Sequence, residues 1–485
     1  MRNLVDGLWK DSISKRTFKS TNPSDTSDVV GTAPKSNRKD VEAAVESASE
    51  AFSSWKQLPW GLRTRYLIDL AHHTESKTEE IGDLLARETG KIRSEAHEDV
   101  RLAAEYVRSY ATHHHRGDAL SSHSTNRNIT QQVSPIGVFA IIPSWNDPLL
   151  TLVRTLLGAL AYGNTAVVKS SEHVPCTTAR FVEIFSATGF PQGAVNLIHG
   201  ADDVARSLMA HPLVRGVCHA GDERLGIDIA EYCARHAKNC YVENNRNGST
   251  IICPDADIDA IMPDLLASCL HMSGQSNLST PKILVHESVK DAFITKLRSA
   301  VDGLQLGPSL DSHSHIGPLI DEDHYKKLKE TIATARKKDG ADVLYEGMQV
   351  IKKPNLKTGF YHDVVILSVK AEASVLSQYL CGPVLCILGF EKTSQAIKIA
   401  NTPESGMVTC VYTHDQSTID EMRVSLESPC IHINTRSSDI EPQIPIRSAI
   451  TGHYAGASTN SAHTFSSTRT IVSDYAKSGG PKNVP

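Results

Sequence analysis

Apolar residues recur along this chain in two rhythms, and the change from one to the other divides it. Over residues 41–55 the period is helical, with Val41, Ala44, Ala48 and Phe52 on one face, and the same spacing continues through 64–85 and 92–110. An extended segment follows at 128–133. From Gly137 onward, short apolar runs at 138–142, 166–168 and 195–198 alternate with helical stretches such as 177–187. Such runs predict strands buried on both faces, in a parallel sheet with helices packed on either side. A second series begins after Asp255 and includes 283–285, 384–388 and 408–412. The pattern predicts two α/β units, joined near residues 241–247 with a return near Pro445, and no internal repeat.

Length agrees, since 485 residues are too many for one core and imply two or three domains. The net charge is −5 and Lys and Arg are scattered, which argues against a nucleic-acid surface and favours small-molecule or protein partners. The N-terminal Met1-Arg2-Asn3-Leu4-Val5-Asp6 lacks an apolar signal core, and no run approaches the roughly 18 to 20 apolar residues that cross a bilayer. A soluble, cytoplasmic protein without membrane contact is expected. Ten cysteines lie apart without paired CxxC spacing, so buried free thiols are expected rather than a zinc site or disulfide framework. The run His113-His114-His115 reads as solvated surface, because neighbouring side chains on a helix diverge. The one tail-like stretch is Ser478-Gly479-Gly480-Pro481.

Motifs narrow the picture. An apolar strand breaks into a turn at Pro143-Ser144-Trp145-Asn146-Asp147-Pro148; Gly163-Asn164-Thr165 leads to Lys169-Ser170-Ser171-Glu172; then come Gly189-Phe190-Pro191, Glu243, Asp255-Ala256-Asp257, Gly274-Gln275 and Gly382-Pro383-Val384. In that order they resemble the aldehyde dehydrogenase superfamily over nearly the whole chain. The resemblance implies an aldehyde dehydrogenase-like α/β fold with a Rossmann-type cofactor domain (1–116 and 136–242), an α/β catalytic domain (243–446) and oligomerisation strands and tail (117–135 and 465–485). It also implies a dimer or tetramer, with 128–133 and 470–474 matching the family's assembly strands.

Family chemistry requires a thiolate, an oxyanion donor, a carboxylate base and a nicotinamide. The resemblance makes Asn146 the oxyanion donor, although the usual Pro-Trp-Asn is Ser144-Trp145-Asn146 here. It makes Glu243 the base, 12 residues before Asp255, yet the family's Leu-Gly-Gly-Lys has become Asn244-Asn245-Arg246-Asn247. Arg246 either pairs with Glu243 or a ligand carboxylate, or faces solvent. The nucleophile position is Asn277, in the frame Gly274-Gln275-Ser276-Asn277. A carboxamide has no ionisation near neutral pH and cannot form a thiohemiacetal. Neither Cys269, eight residues upstream, nor Cys381 on another loop is expected to replace it.

By the same resemblance Lys169 and Glu172 hold the adenosine ribose, and Trp145 lies on the cofactor side of its turn. The pyrophosphate turn Phe-Thr-Gly-Ser-Thr-x-x-Gly corresponds to His219-Ala220-Gly221-Asp222-Glu223-Arg224-Leu225-Gly226, where Asp222 is expected to cap its own helix. The Glu that grips the nicotinamide ribose is replaced at Tyr379, and the late Pro-Phe-Gly-Gly reads Pro445-Ile446-Arg447-Ser448. These changes predict no bound cofactor, or at most weak NAD or NADP binding. His219 and His271 read as structural histidines, with general-base duty in new chemistry as the alternative. Three functions remain open. The chain is a non-catalytic homologue with a binding, assembly or regulatory role, partnered by itself, an active paralogue or a pathway enzyme. It is a repurposed, NAD-independent enzyme on a carbonyl compound using Glu243 and Asn146. Or it is a residual NAD(P)-dependent aldehyde oxidoreductase.

Overall fold

A computed structural model of the chain describes residues 1–112, 122–124, 127–402, 406–444, 446–447, 453–455 and 461–474. The histidine run at 113–115, Pro445, Ser448 and the stretch 478–481 fall outside the described residues.

Two seven-stranded sheets carry the fold. In the first, Asn239–Asn244, Val214–Gly221, Val138–Ile142, Thr165–Ser170 and Val195–His199 lie side by side and parallel. The hairpin of Asn3–Val5 and Leu8–Lys10 extends it antiparallel, through Leu4 opposite Leu197. In the second, the order is Asp342–Glu346, Val365–Ser368, Val384–Phe390, Lys282–His286, Ser249–Ile252, Val408–Tyr412, Cys430–Ile433, parallel except at Asp342–Glu346. The strands Val138–Ile142, Thr165–Ser170 and Val408–Tyr412 are buried at every position, as expected for central strands covered on both faces. The expected α/β architecture is therefore present. The second sheet begins at Ser249, ahead of Asp255 where the pattern placed its start; four residues were too short a run to register against the asparagine-rich turn before them.

The N-terminal layer also departs from expectation in one place. Residues 64–85 form two helices, Trp60–Ser76 and Thr78–Thr89, broken at Lys77, whose φ of −112° and ψ of 19° leave the helical region without glycine or proline to mark it. The helix Arg38–Trp55 begins with a capping box from Asn37 and Asp40.

The segments expected as assembly strands pair with each other. Arg127–Pro135 runs antiparallel to Ser466–Asp474 over nine register positions, with Ser122–Ser124 on its other edge. Asn164 fixes this extension to the first sheet. Its Oδ1 accepts from the backbone N–H groups of Ile136 (2.7 Å) and Gly137 (3.1 Å), and its Nδ2 donates to the carbonyls of Ala159 (3.1 Å) and Phe465 (2.7 Å). Among the described residues no helix is long and apolar enough to cross a membrane. Nine of the ten cysteines are buried and all are free thiols.

Candidate active site

The candidate centre lies beyond the ends of parallel strands of the first sheet, where such folds place their ligands. Asn146 follows the strand Val138–Ile142, Glu243 closes the strand Asn239–Asn244, and Asn277 follows a short turn at His271–Gly274. The backbone is unusual at these approaches. Asp147, Met272 and Ser273 have φ of 50°, 51° and 58°, each costing about 1 to 3 kcal/mol for a residue with a side chain. Gly274 (φ 76°) follows them, and a Cβ there would sit 2.3 Å from the carbonyl oxygen of Gly382, so glycine is required.

These residues meet. Asn277 Nδ2 donates to Glu243 Oε1, and its own Oδ1 is buried without a partner among the described residues. Glu243 accepts further bonds from Tyr241 Oη (3.0 Å) and from Arg154 Nη2, at 2.8 Å to Oε1 and 3.0 Å to Oε2. Arg154 and Glu243 are 2 % exposed each. Burial opposes the Arg154 charge, but Glu243 outweighs it and holds the guanidinium above its ordinary range. Burial, then the neighbouring Glu243, raises the Tyr241 phenol well above its usual value. The two hydrogens of Asn146 Nδ2 are shared among three acceptors within reach: Asn245 Oδ1 (3.1 Å), the Gln275 carbonyl (3.2 Å) and Tyr379 Oη (3.1 Å). Ser144, standing where proline was expected, donates its hydroxyl to Asn146 Oδ1 and so fixes the amide by a bond instead of by ring stiffness.

Behind this centre is a buried charge network that the sequence did not reveal. Lys91, fully buried, reaches Asp99 at 2.5 Å and Asp147 at 2.7 Å. Asp147 also accepts from Ser276 Oγ, so the residues next to Asn146 and Asn277 are tied together. His271 adds contacts to Glu95 (3.3 Å) and Asp147 (3.6 Å). Burial opposes charge on Asp147, but Lys91 and His271 keep its carboxyl below the usual range, while burial dominates at Asp99 and raises it. His271, despite burial, is raised to about 10 by Glu95 and Asp147. Asp99, Asp147 and His271 approach each other closely enough for a metal, but the Lys91 ammonium already occupies the space between the two carboxylates.

A cleft of about 700 Å³ opens beside the centre, lined by Trp145, Lys169, Glu172, His219, Gly221 and Asp222, and also by Asn245, Tyr379 and Cys381. Lys169 Nζ lies 3.8 Å from the Glu172 carboxylate, and burial lowers its pKa. Asp222 caps the helix Glu223–Arg235, accepting from Leu225 N–H at 3.0 Å, as expected. Gly221 has φ of 141°, a backbone that a side chain rarely adopts. His219 has its ring nitrogens 3.2 Å from the Ile142 carbonyl and 3.3 Å from the Asp222 carbonyl; burial lowers its pKa, and the neutral ring donates to one of the two. Arg246 takes neither expected course: it pairs with Glu223 across the cleft wall. Cys269 is buried on its helix with Sγ bonded to the Thr280 carbonyl, and Cys381 lines the cleft beside Tyr379; burial pushes both thiols up, so neither is a ready thiolate.

The aldehyde dehydrogenase family model matches residues 9–469. The chain belongs to this family. It is similar to the succinate-semialdehyde dehydrogenase (NADP+) of Escherichia coli K12, at 30 % identity over 90 % of this chain and 91 % of that protein. It is also 29 % identical to the malonate-semialdehyde dehydrogenase of Lacticaseibacillus casei, over 90 % of this chain and 88 % of the relative. Among solved structures, PnpE in complex with nicotinamide adenine dinucleotide superposes with a TM-score of 0.93 at 25 % identity, covering 98 % of this chain and 97 % of that one. A member of the aldehyde dehydrogenase family with relatives and neighbours of this kind is not to be read as cofactor-free, and the expectation of no cofactor is overturned. The physical reason is that Asp222 turns to cap its own helix and the cleft stays open beside Lys169 and Glu172.

Proposed function

We propose that this member of the aldehyde dehydrogenase family binds NAD(P) in the cleft but does not carry out thiol-dependent aldehyde oxidation, serving instead as a ligand-binding, self-assembling protein. The observation that carries the reading is the Asn277 carboxamide bonded to Glu243 at the position from which a thiolate would attack. A carboxamide nitrogen has a delocalised lone pair and forms no adduct with an aldehyde under these conditions. Two features support this. The two hydrogens of the Asn146 amide are shared among Asn245, Gln275 and Tyr379, which compete with a developing oxyanion for them. The Glu243 oxygens are engaged by Arg154, Tyr241 and Asn277, a poor arrangement for taking a proton from water.

The cleft fits a dinucleotide at the Lys169 end, where an ammonium and a carboxylate 3.8 Å apart can hold ribose hydroxyls. Arg224 and Lys327 share the wall with Asp202, Asp222, Glu223 and Asp228, of which Glu223 and Asp228 are paired with Arg246 and Arg206. A bound NAD(P) supplies a hydride acceptor; the chain's own part is to hold and orient it. For the inner centre, relatives named for malonate, succinate and glutarate semialdehydes suggest a short aldehyde that carries a carboxylate. Exposed Ile471 and Val472 on the strand Ser466–Asp474 support a homo-oligomer built through that extension.

Calorimetric titration with NAD and NADP, together with a spectrophotometric assay on succinate semialdehyde, tests the reading. Binding without reduction of the nucleotide is expected. Sustained reduction would overturn the loss of oxidation, and an absence of heat with either nucleotide at millimolar concentration would overturn the cofactor assignment.

A further inference from the structure

Tyr379 stands at the boundary between the cleft and the buried centre. The residue lines the cleft, while its hydroxyl bonds into the centre, donating to the Gln275 carbonyl at 2.5 Å and accepting from Asn146 Nδ2 at 3.1 Å. Among the described residues, Asn146, Gln275, Glu243 and Asn277 are all buried and none lines the cleft. The turn after Glu243 braces this region. Asn247 Oδ1 accepts from the backbone N–H of Leu380, the next residue, and Asn245 Oδ1 shares the Asn146 amide with the tyrosine hydroxyl.

We propose that Tyr379 sets the length of ligand the cleft accepts: its hydroxyl closes the cleft toward the centre, so that an adenine nucleotide occupies the cleft as it stands, whereas a dinucleotide must first displace the tyrosine. This rests on reading the cleft as a nucleotide site. Asn245, at a glycine position of the family pattern, and Asn247, at its lysine position, are then the supports of the closed position. A dinucleotide binds only to the fraction of molecules in which Tyr379 has swung away, and its apparent affinity falls by that fraction. A ligand that ends before Tyr379 has no such requirement.

The test is calorimetric titration of the full chain and of Tyr379→Ala and Tyr379→Phe with ADP and with NAD. Releasing two hydrogen bonds and the ring is expected to strengthen NAD binding by about tenfold in Tyr379→Ala, and releasing the hydroxyl alone by about threefold in Tyr379→Phe. ADP affinity is expected to stay within about twofold of wild type in both variants, by the same reasoning. A general loosening of the fold would weaken both nucleotides together and leave their ratio unmoved. An unchanged ratio of NAD to ADP affinity overturns the role of Tyr379 while leaving the cleft a nucleotide site. Failure of the wild-type chain to bind either nucleotide overturns the reading of the cleft itself, and the proposal with it.

Discussion

Arg154 and Glu243 form an ion pair in the floor of the centre, one guanidinium nitrogen lying 2.8 and 3.0 Å from the two carboxylate oxygens, with both side chains out of contact with solvent. Removing one partner strands the other. Arg154→Met should therefore destabilise the fold by about 3 to 5 kcal/mol in urea denaturation, because a buried carboxylate loses its counter-charge. The double variant Arg154→Met with Glu243→Gln should recover most of that loss. A single variant within about 1 kcal/mol of wild type would show that the pair contributes little.

Asn277→Cys should add no aldehyde oxidation to whatever the wild-type chain shows. The new thiol would face Glu243 already held by Arg154, and the Asn146 amide with its two hydrogens already shared among three acceptors. The check is nucleotide reduction by the variant on malonate, succinate and glutarate semialdehydes, and turnover on any of them beyond that of the wild-type chain would mean that the remaining machinery is competent.

The His271 pKa, raised to about 10, fixes a pH window. A histidine whose folded value lies above its unfolded value contributes stability that is fully present below about pH 6.5 and lost as pH rises through the folded value. Thermal melts should fall between about pH 6.5 and 10, and His271→Gln should flatten that part of the curve while lowering stability at neutral pH by about 2 to 4 kcal/mol. An equally steep alkaline fall in the variant would assign it to other groups.

Asp222→Ala should move two readouts in opposite directions. Loss of the cap on Glu223–Arg235 costs about 1 kcal/mol of stability. Removing a carboxylate from a helix N-terminus that faces the cleft should tighten nucleotide binding several-fold, at about 1 kcal/mol per favourable charge change. Weaker binding together with weaker stability would mean that Asp222 holds the cleft in shape.

Much of this was legible in the sequence, for reasons that differ by residue. The strands at 138–142 and 408–412 are apolar throughout because both faces are covered, and that composition alone announced the sheets. Asn146, Glu243 and Asn277 came through resemblance, which ordered motifs far apart in the chain. Their partner Arg154 went unnoticed, although the signal was present: a lone charge within Leu149-Leu150-Thr151-Leu152-Val153-Arg154-Thr155-Leu156, buried at every position, must have a counter-charge nearby. Lys91 offered no such context, since its acidic partners lie eight and 56 residues away and only the fold joins them. Arg246 was misplaced because Glu223 sits on a different element, brought across only when the strands Val214–Gly221 and Asn239–Asn244 pair.

The strand Ser466–Asp474 completes a sheet begun by Arg127–Pro135, and Ser467 lies 333 residues after its neighbour Ser134. During synthesis at about 5 to 20 residues per second, the earlier strand has to wait roughly twenty to seventy seconds for its mate to leave the ribosome. For that interval it is an open edge, able to recruit any passing strand. Its polar sequence, with Asn128, Thr130, Gln131, Gln132 and Ser134 and a closing Pro135, is what a nascent chain needs to stay soluble while its last partner is still being made.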